Sequence, residues 1–219
     1  MLLIIKKETK VAKVVTFANV KGGSGKSTLC INMAAILVRA GYSVAIIDAD
    51  QQKCSQDWIT GTKDKLLSRV EIIEPVELKE AEDVEVDFLL IDTQGSLTKE
   101  MAQFLFQSSL IITPCRASRD DIVGQGWIEV FLKQSNQNIK KAPILTVLNG
   151  VNKRSSILSH VIEQLKEDGV QVAETCISQR VCFAETNVNK ISVIGYNKHA
   201  TKEIVDLTNE ALNLIKSEV

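Results

Sequence analysis

Several things are scarce in this chain, and each scarcity excludes a class of protein. Two histidines, His160 and His199, leave little from which to build a His/Cys metal centre. Five cysteines, Cys30, Cys54, Cys115, Cys176 and Cys182, stand far apart with no Cys-x-x-Cys pair. That scattered, odd set fits reduced thiols better than a disulfide framework. With only three prolines and no Pro/Gly/Ser-rich stretch, nothing marks a linker between two domains. No apolar run approaches the roughly 18 residues that span a membrane. Leu2 to Ile5 is followed by Lys6 and Lys7, the reverse of a signal peptide's order. The net charge of −1 excludes an overall basic chain but not a local basic patch. A cytoplasmic location is expected.

What is present is ordinary in bulk and ordered in sequence. Over 219 residues, 45% are hydrophobic and 24% charged, as in a globular domain. Unbroken apolar runs alternate with helical patterns. The expected strands are 11–18, 43–48, 70–73 (closed by Pro75), 86–92, 110–113 (ended by Pro114), 143–148 and 170–176. The expected helices are 27–40, with Gly41 as its stop, 54–59, 98–107, 120–133, 155–168, stopped by Gly169, and 200–216. Apolar runs that do not alternate mark a parallel sheet buried on both faces. One α/β, doubly wound domain over 11–219 is expected, with its ligand at the carboxyl ends of the strands. Residues 1–10 are expected to be an extension outside it.

The most informative stretch is Asn19-Val20-Lys21-Gly22-Gly23-Ser24-Gly25-Lys26-Ser27-Thr28, between the first strand and first helix. Glycines let backbone N–H groups turn inward around an anion, and a helix N-terminus favours negative charge. Lys26 suits β- and γ-phosphates, and the Ser27 hydroxyl suits Mg²⁺. Ser24 and Thr28 complete the predicted phosphate cradle. The standard loop begins with glycine, but Val20 stands there and Lys21 is added. Asp48-Ala49-Asp50-Gln51-Gln52 closes the second strand, and Phe88-Leu89-Leu90-Ile91-Asp92 ends a later one, as in a Walker B strand. By that pattern Asp92 holds Mg²⁺.

This K-G-G-x-G-K-[ST] form, with the D-x-D and the Walker B aspartate, resembles the deviant Walker A ATPases of the ParA/MinD family. The resemblance spans about 11–216 and implies a P-loop NTPase fold with ATP/ADP and Mg²⁺ as ligands. It implies that Asp50 positions the attacking water and Asp48 lies near the metal. It further implies that Lys21 reaches the partner's nucleotide in an ATP-dependent homodimer. Gln51 stands where many relatives carry proline, and Gln94 after Walker B has no assigned role. For Asn149 two readings stand: an amide for the adenine edge, or a strand-ending turn residue. Pro114 to Ala117 are candidates to pack against the base.

Within the family, Gly95-Ser96-Leu97 and Ile177-Ser178-Gln179-Arg180 are similar to short ParA (ParF-like) plasmid partition proteins. That implies non-specific DNA binding by the ATP dimer, a nucleoid location, and stimulation of slow hydrolysis by a ParB/ParG-like centromere-binding partner. Lys153, Arg154, Arg180, Lys190, Lys198 and Lys202 are the candidate DNA contacts; solvated surface is the alternative for each. The P-loop begins too early for a preceding helix-turn-helix domain, so specific operator binding is not expected. A MinD-like membrane helix fits poorly, because Glu203, Asp206, Glu210 and Glu218 face Lys202 and Lys216 on the last helix. No cysteine pattern matches a cluster-bearing reductase. A dethiobiotin-synthetase-like ligase shares the fold but not Lys21 with D-x-D. A positioning ATPase for another cargo would use the same motifs.

Overall fold

The computed structural model describes residues 11–75, 84–96, 98–118, 128, 130–132 and 142–217. In chain order the elements are β1 (Lys13–Phe17), α1 (Lys26–Arg39), β2 (Val44–Asp48), α2 (Cys54–Thr60), a 3₁₀ turn (Leu67–Arg69) and β3 (Glu71–Ile73). Then come β4 (Phe88–Asp92), α3 (Lys99–Gln107), β5 (Leu110–Cys115), β6 (Ile144–Val151), α4 (Ser156–Glu167), β7 (Ile177–Ser178), α5 (Val181–Val188) and α6 (Lys198–Ser217). The expected extension at 1–10 and most of the helix expected at 120–133 lie outside the described residues.

Seven strands form one sheet in the order β3-β2-β4-β1-β5-β6-β7, every named pair parallel. The unbroken apolar runs follow from two buried faces. Val15, Phe17, Val44, Ile46, Phe88 and Leu90 pack with α1 and α6. Their chain neighbours Val14, Ala45, Ile47, Leu89 and Ile91 pack on the opposite face with Phe104 of α3. α6 presents Ala200, Ile204, Leu207, Ala211 and Ile215 to the first of these cores. The sheet edges are short, three residues in β3 and two in β7, which leaves little unpaired backbone to recruit another strand.

Four expectations require correction. Pro114 does not end β5, which runs on to Cys115. The Ile112 carbonyl faces β1, accepting the Ala18 N–H, and Pro114 faces the same side two residues later, past the last β1–β5 pair. A missing N–H costs nothing there. β6 also overruns its expected end, continuing through Asn149 and Gly150 to Val151 with an irregular register against β7. Residues 170–176 make only one isolated bridge, Thr146 with Val172. The backbone N–H groups of Glu174 and Thr175 instead donate to the Glu210 carboxylate of α6, each at 2.9 Å, so a side chain takes the place of a ladder. The strand forms later, at Ile177–Ser178. Finally, α5 was not expected, because Val181 and Val188 lie exposed and conceal its periodicity.

Candidate nucleotide-binding site

Register brings the acidic residues level. Phe17 of β1 pairs with Asp92 of β4, which pairs with Asp48 of β2, so three strand ends meet beneath the glycine loop. β1 lies between β4 and β5, strands later in sequence than its chain successors β2 and β3. The loop after β1 therefore opens at the reversal of strand order, where ligands bind in this architecture.

The loop is braced at its start, crest and end. Asn19, fully buried, accepts the Lys21 N–H on Oδ1 at 2.9 Å and donates from Nδ2 to the Pro114 carbonyl at 2.6 Å. At the crest Arg116 Nη2 donates to the Gly23 carbonyl at 2.9 Å. Asn149 Nδ2 donates to the Ser24 carbonyl at 2.7 Å. Gly25 then caps α1 in the left-handed conformation, φ 98°, and a Cβ there would meet Asn149 Nδ2 at 2.1 Å. Both facts restrict this position to glycine. The first turn of α1 carries no acidic residue, as an anion site at a helix N-terminus requires.

Lys26 is buried, its Nζ donating to the Lys21 carbonyl at 3.3 Å. Burial lowers its pKa, opposed by the negative charges of Asp92 and Asp50. Asp92 is inaccessible to solvent and its pKa is pushed up to about 6. Burial is the main cause and the Asp48 charge adds to it, while the Ser27 and Ser55 hydroxyls and Lys26 oppose. Asp92 Oδ2 accepts the Ser55 hydroxyl at 2.6 Å, and Oδ1 is buried with no hydrogen-bond partner. Ser24 Oγ is likewise buried and unpartnered. An orphaned carboxylate oxygen near the Ser27 hydroxyl is a hard-oxygen pair suited to Mg²⁺ completed by phosphate and water. Those two residues would hold the ion, which would supply charge neutralisation at the phosphates.

Asp48, level with Asp92 at the strand ends, also holds its own loop. Its Oδ1 accepts the Asp50 N–H at 3.0 Å and its Oδ2 the Gln56 N–H at 2.9 Å. Its carbonyl accepts Lys53 Nζ at 2.7 Å. Both carboxylate oxygens thus organise the 49–53 loop and the start of α2. Asp50 Oδ1 accepts the Gln52 N–H at 2.9 Å, and Asp50 lines a cleft of about 580 Å³ with Gly22, Lys26, Ser27, Gln94 and Gly95.

The cleft also contains Gly95, which the sequence offered only within the Gly95-Ser96-Leu97 resemblance, and Asn187 of α5, which it did not single out. Gly95 approaches the loop so closely that a Cβ would meet Gly22 N at 2.8 Å and the Lys21 carbonyl carbon at 3.0 Å. Asn19 and Arg116 stand in stretches expected to form the loop and to pack against the base, with no sign that they brace the loop backbone, and Ser55 gave no signal beyond being polar at a helix start. The basic candidates divide by partner. Lys153 and Arg180 both reach Glu203, at 2.8 and 3.3 Å. Lys190 pairs with Asp57 at 2.8 Å, and Lys202 with Asp206 one turn on. Arg154 and Lys198 are exposed. Among the described residues no helix is long and apolar enough to cross a membrane.

Comparison with known proteins agrees with this geometry. The family model described as the CobQ/CobB/MinD/ParA nucleotide binding domain matches residues 15–193. Maintenance of carboxysome distribution protein A of Halothiobacillus neapolitanus is 24% identical over 210 residues, covering 92% of this chain and 97% of that protein. Protein ParA of Rhizobium radiobacter is 22% identical, covering 86% of each chain. The crystal structure of a plasmid partition protein from Borrelia burgdorferi bound to AMPPNP superposes with a TM-score of 0.73 at 21% identity, over 95% of this chain and 100% of that one. With the braced glycine loop, level aspartates and parallel sheet in place, the chain belongs to the CobQ/CobB/MinD/ParA family of nucleotide-binding domains.

Proposed function

We propose that this chain is a Mg²⁺-dependent ATPase of the ParA type that dimerises on ATP and binds DNA without sequence preference. It drives partition of a plasmid or chromosome with a centromere-binding partner. The observation that carries the reading is the loop itself: Lys21 heads a phosphate cradle whose open cleft is walled by Asp50 and the Gln94-Gly95 loop. Phosphoryl transfer needs positioned water and neutralised charge more than covalent chemistry. Asp50 orients the water, Lys26 and Lys21 neutralise phosphate charge, and Ser27 with Asp92 keeps the metal. Lys21 serves the nucleotide of a second copy. The role of Asp48 is to shape the loop that carries Asp50. Residues 11–219 act as one ATPase domain.

A second reading is favoured by one specific observation. The Halothiobacillus relative, matched over 92% of this chain, is named for carboxysome distribution, so the cargo could be a protein body rather than DNA. Both readings use ATP and DNA. ATPase turnover and low-salt filter retention of random duplex DNA, each with and without ATP, test the shared part. Retention that requires ATP and falls steeply with salt is expected; salt-independent or ATP-independent retention contradicts it. Loss of a resident plasmid in a Lys26→Ala strain, against dispersed protein bodies with stable plasmids, separates the two cargoes.

A further inference from the structure

The Glu203 carboxylate lies among donors that have the composition of a phosphate site. Its Oε2 accepts the Ser178 backbone N–H at 3.0 Å. Its Oε1 accepts the Ser178 hydroxyl at 2.6 Å, the Lys153 ammonium at 2.8 Å and the Arg180 guanidinium at 3.3 Å. Backbone N–H, hydroxyl, lysine and arginine converging on one point are the groups proteins direct at phosphate oxygens. Three places in the chain deliver them: the loop after β6, the last residue of β7, and the residue before α5. Glu203 arrives from α6.

Accessibility is unequal within the cluster. The Glu203 side chain is 10% exposed, whereas those of Lys153 and Arg180 are 46% and 31% exposed. The donors are also in surplus. Two cations meet one carboxylate, and Arg180 Nε is buried without a hydrogen-bond partner. Burial pushes the Glu203 carboxyl up, but the bonds from Lys153, Ser178 and Arg180 outweigh it and hold the group below the usual range. Anchoring α6 to β7 would need only Ser178. Lys153 and Arg180 add an excess positive charge that faces solvent.

We propose that Glu203 is the internal occupant of a DNA-phosphate site. Its carboxylate holds Lys153 and Arg180 in a closed arrangement, and a backbone phosphodiester of duplex DNA takes its place on the two cations. This rests on the DNA-binding reading above and adds a restraint to it. Duplex DNA is favoured over a lipid phosphodiester because the apolar stripe of α6 is buried in the core, which leaves that helix no face to insert in a bilayer.

The test is equilibrium binding of a fluorescein-labelled random duplex to the full chain with ATP and Mg²⁺, across a salt series. Glu203→Gln and Glu203→Asp are compared with wild type and with Glu163→Gln, which changes net charge equally at an exposed site on α4. Glu203→Gln is expected to bind about tenfold tighter. Its log–log salt slope should steepen by about 1–2, since each phosphate contact adds about 0.9. Glu203→Asp keeps the charge but withdraws it by one methylene, and should tighten binding by a smaller factor; Glu163→Gln should change little. A Glu203→Gln gain no larger than that of Glu163→Gln overturns the proposal, as does unchanged or weaker binding in a variant that melts and binds nucleotide like wild type. Should Glu203→Gln fail to fold, wild-type affinity in folded Glu203→Asp overturns it. Binding by the Glu203 variants alone supports it. If no protein in the set binds DNA, the DNA reading itself fails and takes this restraint with it. Capture of Glu203→Gln by phosphatidylglycerol vesicles in place of DNA contradicts the assigned occupant.

Discussion

Ser55 Oγ donates to Asp92 Oδ2 at 2.6 Å, with both side chains inaccessible to solvent. The bond ties the first turn of α2, and hence the loop bearing Asp50, to the strand end that would hold the metal. Ser55→Ala leaves a buried carboxylate oxygen without this donor. It should destabilise the nucleotide-free protein by about 1–3 kcal/mol. Urea denaturation of the two proteins measures it; coincident midpoints contradict the link.

Gly95→Ala places a methyl group against the backbone of Gly22 and Lys21, which cannot rotate away. Relief requires the loop after β4 to withdraw from the phosphate cradle. Overpacking of this kind costs about 1–3 kcal/mol. Because the contact lies at the cleft, ATP affinity should fall about tenfold while the far-UV spectrum is kept. Unchanged affinity by titration of a fluorescent ATP analogue shows that the two loops move independently.

Asn149→Ala separates the two roles open to that residue. Removing the 2.7 Å bond to the Ser24 carbonyl loosens the cradle for any nucleoside triphosphate. ATP and GTP should then weaken together, by roughly 1 kcal/mol or about fivefold each. Loss confined to ATP in competition titrations assigns the side chain to adenine instead.

Asp64 gives the structure a signature in acid. Burial raises its pKa, but the Ser192 hydroxyl and N–H and the N–H groups of Leu66 and Leu67 outweigh it, so the net shift is downward. Its Oδ2 accepts Ser192 Oγ at 2.6 Å, which ties the segment after α2 to the segment after α5. A depressed carboxylate pKa contributes stability that is whole above the unfolded value and is lost as pH falls through the folded one. Asp64→Asn should therefore be less stable than wild type by about 1–3 kcal/mol at pH 7. The gap should narrow only below the ordinary carboxylate pKa of about 4. A gap constant from pH 7 to pH 2.5 contradicts the assignment.

Much of this was legible in the residues, for physical reasons that differ by element. Strands such as Val44–Asp48 and Phe88–Asp92 are apolar on both faces, so their burial is written continuously in the chain. The phosphate cradle is local, and a local motif carries its own geometry. What stayed hidden depends on distant partners. Glu210 of α6 captures the backbone of Glu174 and Thr175, thereby cancelling a strand that residues 170–176 otherwise favour. Pro114 reads as a stop until β1 is known to have ended beside it. Asn149 reads as a base-reading amide or as a turn residue, and neither reading foretells that its Nδ2 lies 2.7 Å from the Ser24 carbonyl. Arg116 reads only as one of the Pro114 to Ala117 candidates to pack against the base, yet it holds the carbonyl of a glycine 93 positions away.

The central claim is that ATP joins two copies of this chain through a cradle headed by Lys21. Sedimentation velocity of the Asp50→Ala protein, in which loss of the proposed water-orienting carboxylate is expected to block hydrolysis, tests it most directly. A dimer in saturating Mg·ATP, a monomer in Mg·ADP, and a monomer in both once Lys21→Ala is added are the predicted results. An Asp50→Ala protein that remains monomeric with ATP fully bound contradicts the claim.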